Sequence, residues 1–244
     1  MTNLDVRVQA AVRHFWLTRS TQARRQAQRG VQDQGARSAV TGGKQMDGFV
    51  ELTRDVLLAC GIADEEISFD SRLELPGYYR PEKRWDILAV ADGKLIAAIE
   101  LKSMASSFGN NLNNRAEEAV GSATDLWTAY REGAFPTTPK PWLGYLMLLV
   151  ECEESTHPVS VREPHFPVLP EFTGASYAER CQVLLDKLMR ERLYDATCFL
   201  MTPGESAPTG DYREPDADLS FRYFEESLRA QVSAFQQSRT SRRS

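Results

Sequence analysis

Apolar residues recur at helical spacing over residues 4–28, where Val8, Ala11, Val12, Phe15 and Trp16 gather on one side and arginines fill the rest. Residues 30–43 break that pattern with glycines and small polar residues. A second helix is predicted over 44–60, with Phe49, Leu52, Val56 and Leu57 as its apolar face and Gly61 as its stop. Residues 67–75 read ambiguously, at most as a short strand, followed by a turn at Pro76-Gly77. The period then changes. Residues 85–91 and 94–102 are β-type runs separated by Asp92-Gly93, a strong hairpin signal. Residues 103–114 form a polar loop with four asparagines, and 115–130 a helix on Ala119, Ala123, Leu126, Trp127 and Tyr130. Buried strands are predicted at 142–150 and 196–201, a long loop with four prolines at 153–170, and a helix at 176–193. A short strand at 219–224 and a helix at 225–237 close the series. Strands interleaved with helices make an α/β chain, a mixed sheet flanked by helices. No linker separates two folding units, so 1–244 reads as one domain, with a helical region over about 1–60 and a core over about 61–238.

Composition adds exclusions. The 244 residues are 42% hydrophobic and 26% charged, which is globular. No run of 18 apolar residues predicts a membrane span, and the polar, Arg-rich N-terminus has no signal-peptide core, so a cytoplasmic chain is expected. Cys60, Cys152, Cys181 and Cys198 form no C-x-x-C, and three scattered histidines give no zinc pattern or His-based triad. The net charge of −5 points away from a polyanionic partner, but its distribution weakens that objection. Residues 1–46 hold eight Arg and Lys against two Asp, and the last six residues add three arginines, leaving −14 for the middle.

The chemistry concentrates between Arg84 and Lys102. Asp86 opens the first hairpin strand, and Glu100 and Lys102 end the second as I-E-L-K. Strand alternation puts Glu100 and Lys102 on one face. Charges at the end of an apolar strand cost desolvation free energy unless paired or bound. Two carboxylates with an ammonium suit a hard divalent cation such as Mg²⁺ acting on a phosphate. The competing reading is an exposed Glu–Lys pair. The register discriminates. An unbroken two-residue turn pairs Asp86 with Ile99 and turns it away from Glu100. A three-residue loop, or a bulge between Asp86 and Gly93, restores a shared face, and one of these is expected.

These residues resemble the PD-(D/E)XK nuclease motif, written here W-D-I-L…I-E-L-K, with Trp85 where the family has proline. The whole chain resembles the XhoI-type type II restriction endonucleases, through SAVTGGKQMDGF (38–49), RWDILAV…AAIELKS (84–103) and FGNNLNNRAEEAVGSATDLW (108–127). The resemblance implies a restriction-endonuclease-like core in a single nuclease domain, its helical region serving DNA binding or dimerisation. It further implies a Mg²⁺-dependent homodimer that cuts both strands of a palindrome in double-stranded DNA, CTCGAG, leaving 5′ overhangs, beside a functionally paired DNA methyltransferase. Asp86 and Glu100 match the metal-binding acids and Lys102 the catalytic lysine. Many members add a helical glutamate; Glu51 is the candidate here, as catalytic and metal residue, and Asp47 the competitor. A repair nuclease, resolvase or exonuclease with the same core, or a non-catalytic DNA-binding module, is the alternative.

DNA contacts are expected from Asn110, Asn111, Asn113, Asn114 and Arg115, whose amides and guanidinium suit base edges. Arg37, Ser38 and Lys44 are expected at phosphates. The cleft should be locally positive on an otherwise acidic protein.

Overall fold

The computed structural model describes residues 2–29, 44–204 and 209–241, without the side chains of 23–29. Strands β1 (Ile67–Ser68), β4 (Ile87–Ala91), β5 (Lys94–Met104), β6 (Trp142–Glu151) and β7 (Ala196–Pro203) form one sheet in the order β1-β4-β5-β6-β7. β2 (Glu74–Pro76) and β3 (Glu82–Arg84) make a separate antiparallel ribbon. β4 pairs antiparallel with β1 and β5, whereas β5, β6 and β7 run parallel. The sheet is therefore mixed, as expected. Its parallel strands are buried on both faces, which is why 142–150 and 196–201 read as unbroken apolar runs.

Helices cover both faces. On one side α1 (Asn3–Arg29), α2 (Asp47–Ala59) and α5 (Phe221–Ser241) share an apolar cluster with Ile87, Ile96, Ile99, Leu101 and Trp142. On the other, α3 (Phe108–Arg131) and α4 (Tyr177–Arg190) pack on Leu88, Ala98, Tyr145, Met147 and Phe199. Ser176 caps α4, accepting from the Glu179 N–H while the Glu179 carboxylate takes the Ser176 N–H at 2.7 Å. Gly61 ends α2 with φ of +86°, as its position predicts.

Several segments differ from the sequence reading. The asparagine-rich stretch is helical: α3 begins at Phe108, because Phe108 and Leu112 carry the buried face of Ala119 and Ala123 back two turns. Nor is there a strand at 219–224, since α5 starts at Phe221 and its apolar side chains recur at Phe224, Leu228, Val232 and Phe235, a helical spacing.

Candidate active site

The β4–β5 hairpin sets the site. Ala91 faces Lys94 across the two-residue Asp92-Gly93 turn, with φ of +51° and +70°. Val90 faces Leu95, but Ala89 faces Ala97, so Ile96 is an extra residue and the register shifts. The packing shows the same step: Ile96 and Ala97 both enter the α1–α2–α5 cluster, after which Ile99 and Leu101 alternate with Ala98 on the α3–α4 side. The three-residue loop is not used; the register shifts between Ala89 and Val90, within the expected 86–93 stretch, with the extra residue, Ile96, on the facing strand β5. The parity changes as required, in the opposite direction. Ile87 pairs with Ile99, so Asp86 falls opposite Glu100.

Glu100, Lys102 and Asp86 thus meet on the α3 face. Lys102 Nζ lies 3.3 Å from Glu100 Oε1 and 3.7 Å from Asp86 Oδ2. The Leu101 N–H donates to Asp86 Oδ2 at 2.7 Å and fixes that carboxylate. Glu100 is only 3% exposed. A fourth charged group joins it, which sequence reasoning missed: Lys83, on β3, donates to Glu100 Oε1 at 2.7 Å and stands 4.1 Å from the Trp85 ring. Nothing in local spacing announces Lys83, since the separate β2–β3 ribbon delivers it. The Tyr194 hydroxyl stands 3.4 Å from Glu100 Oε2 and 3.1 Å from the Ala119 carbonyl, one proton between two acceptors.

Burial pushes the Glu100 carboxyl up, but Lys102 and Lys83 outweigh it and hold the acid below its usual range. The two lysines respond differently. Burial pulls Lys102 down, yet Glu100 and Asp86 leave it raised. For Lys83 burial prevails over Glu100, and its pKa is lowered.

A cleft of about 1290 Å³ opens over these groups. Of the expected residues, Lys44, Asn111 and Arg115 line it with Asp86, Glu100 and Lys102. Asn111 and Arg115 are four apart on α3 and share a face. Arg115 pairs with Glu118 at 3.1 Å, while its buried Nε has no hydrogen-bond partner among the described residues. Asn110, Asn113 and Asn114 are exposed and do not line the cleft. Arg37 and Ser38 lie outside the described residues.

Glu51 is not on the cleft wall; it is exposed and pairs with Arg54 at 3.2 Å. The cleft borders only the first turn of α2, where Asp47 lines it and burial raises the Asp47 carboxyl. One helical turn, about 5.4 Å, separates the two candidates. Among the described residues no three His, Cys, Asp or Glu side chains converge as a metal cluster.

The expected positive cleft is also qualified. Lys44, Arg80, Lys83, Arg84, Lys102 and Arg115 are matched by Asp47, Asp70, Asp86, Glu100, Glu117 and Glu118, so the lining is formally neutral. Several terminal arginines are engaged elsewhere. Arg7 pairs with Asp55, Arg13 donates to the Thr209 carbonyl, and Arg239 binds Glu66 and Asp92.

A family model described as restriction endonuclease XhoI matches residues 25–214. The chain belongs to the XhoI restriction endonuclease family. It is 50% identical over 206 residues to the type II restriction enzyme BstVI of Geobacillus stearothermophilus, covering 82% of this chain and 92% of that one. It is 45% identical over 229 residues to the type II restriction enzyme XhoI of Xanthomonas vasicola, covering 91% and 92%. The type II restriction enzyme AbrI of Azospirillum brasilense is 44% identical over 168 residues, covering 68% and 75%. No solved structure gives a significant match. Membership makes the chain a site-specific restriction endonuclease. No helix among the described residues is long and apolar enough to cross a membrane.

Proposed function

We propose that this member of the family is a Mg²⁺-dependent enzyme that cuts both strands of double-stranded DNA at CTCGAG and leaves 5′ overhangs. The observation that supports this reading most is the meeting of Asp86, Glu100 and Lys102 on one face at the floor of a cleft. Their donor chemistry fits magnesium: two hard carboxylates from adjacent strands, with Asp86 Oδ1 free of partners among the described residues. Bound there, the metal would polarise a phosphoryl oxygen and acidify a water. Asp47 is the acid of α2 that faces this site, in preference to Glu51.

The remaining work belongs to side chains. Lys83 and Lys102 keep Glu100 ionised although it is buried, so it is ready as an oxygen ligand. The Leu101 amide holds Asp86 in its rotamer. Lys102, between the two carboxylates, orients the attacking water and stabilises negative charge on the scissile phosphate. Lys44, Arg115 and Asn111 hold the duplex across the mouth.

A palindromic site read by one kind of subunit calls for a two-fold homodimer. Each subunit is one nuclease domain, and the cell protects its own DNA with a methyltransferase of the same specificity. Such an enzyme works in the cytoplasm. Digestion of a sequenced plasmid in Mg²⁺, with the ends mapped, tests the reading. Discrete fragments sharing CTCGAG-derived 5′ overhangs, lost in EDTA, are expected; nicking at unrelated positions overturns it.

A further inference from the structure

The loop at 77–81, between β2 and β3, borders the same cleft through Arg80 and was not anticipated from the sequence. It is built with unusual care for a surface turn. Asp125 of α3 is buried at 3% exposure, and all its described partners lie in this loop. Its Oδ1 accepts the N–H groups of Tyr78 and Tyr79, both at 2.8 Å, and its Oδ2 accepts Arg80 Nε at 2.7 Å. The Gly77 N–H reaches the Pro81 carbonyl at 3.3 Å. A Cβ on Gly77 would lie 2.6 Å from Asp125 Oδ2, so only glycine permits this approach. Burial pushes the Asp125 carboxyl up, but the Tyr79 amide, Arg80 and the Tyr78 amide hold it below its usual value.

What this frame presents is chemically specific. Tyr78 and Tyr79 are 53% and 70% exposed, edge-to-face with centroids 4.9 Å apart. Two adjacent exposed aromatic rings on a turn pinned by a buried carboxylate are poorly explained as solvated surface. Arg80 is anchored through Nε alone, and neither Nη bonds a described residue. A guanidinium held at Nε offers its terminal amino groups in a fixed fork, the geometry that pairs with O6 and N7 of guanine. The anchor also reduces the ordering entropy lost on binding.

We propose that the 77–81 loop is a base-reading element of the DNA cleft. Arg80 takes a guanine edge, Tyr78 and Tyr79 pack against sugar and base edges, and Asp125 is the positioning residue that holds them. The inference rests on the endonuclease reading above and identifies which part of the cleft confers specificity.

The test uses the full-length protein, a duplex carrying the mapped cut site and a scrambled duplex, with Ca²⁺ replacing Mg²⁺ and binding read by fluorescence anisotropy. Arg80→Ala and Arg80→Lys are expected to lower the preference for the cut-site duplex by about five- to a hundredfold. Scrambled-duplex affinity should change far less. Asp125→Ala should lose the same preference, with Asp125→Asn recovering part of it, which a merely structural role would not do once both variants are shown folded by circular dichroism. Tyr78→Ala/Tyr79→Ala should weaken cut-site binding with the oligomeric state unchanged. An unaltered preference in Arg80→Ala overturns the proposal, and so does a Tyr variant whose defect is a changed oligomeric state, which makes the loop a subunit contact. If the wild type yields no common cut end, the endonuclease reading itself fails, and the loop's role with it.

Discussion

The two ends of the β4–β5 hairpin carry charged clusters of similar make-up and opposite purpose. At the turn end, Arg239 of α5 bonds Glu66 Oε1 at 2.9 Å and Asp92 Oδ1 at 3.2 Å, and Glu66 Oε2 also accepts the Ala63 N–H. At the open end, Lys83 and Lys102 share Glu100, and Lys102 also faces Asp86. The first uses one guanidinium, a planar fork that fits its carboxylates and has little reason to move. The second uses ammonium groups, compact charges on flexible stems, around a buried acid and beside an open cleft. Ion pairing at the turn end fastens a helix to a strand. At the open end it holds down the pKa of an acid that burial pushes up. Hence the kind of cation, its burial and what lies beyond it separate structural from chemical charge clusters better than distance does.

Deleting Ala98, which lies between the bulge and the site, should break the contrast most severely. With Ile96 still bulged, Ile87 would pair with Glu100 and Asp86 with Leu101, and Glu100 would turn away from Asp86. Cleavage is expected to vanish and thermal stability to fall, because a fully buried side chain and half the strand's alternation are disturbed. Retained activity would show that the register does not set the site.

Next in size is Lys102→Ala or Asp86→Ala. Single-turnover cleavage should fall by about 10²–10⁴-fold with the melting temperature little changed. A matching loss in folding, seen by circular dichroism, would place these residues with the structural cluster instead.

Lys83→Met tests whether a lysine occupies space that metal would claim. Removing one positive charge at about 4 Å should tighten Mn²⁺ binding to the DNA-free protein by about fivefold, measured calorimetrically. Weaker binding would mean that Lys83 assists the metal.

The smallest effect is expected at the turn end. Arg239→Ala should lower the chemical-denaturation midpoint only slightly and leave cleavage kinetics unaltered. A change in rate would couple the two ends.

Much of this was legible in the sequence because local physics decides it. The Asp92-Gly93 turn, the stop at Gly61 and the double-sided burial of 142–150 all follow from neighbours within a few residues. The need for a parity change between Asp86 and Glu100 was also legible, since strand alternation is strict. Its location at Ile96 was not, because only packing on α1, α2 and α5 draws Ile96 and Ala97 to the same side. Asn110 to Asn114 read as loop because asparagine is a weak helix former, yet Phe108 and Leu112 anchor that turn to the core. Lys83, Asp47 and Arg80 depend on how β3, the first turn of α2 and the 77–81 loop come together, contacts that no single stretch of sequence encodes.

The placement of α5 has a further consequence, in the making of the protein. It is the last of the described elements in chain order, yet Phe221, Phe224, Leu228, Val232 and Phe235 belong to the apolar layer that backs β5. A ribosome therefore releases Asp86, Glu100 and Lys102 long before the layer behind them can close. Translation aborted before residue 221 leaves polypeptides with all three of those residues but an open hydrophobic flank. Such fragments lack the apolar layer behind β5, so the strand that carries Glu100 and Lys102 is left without its backing.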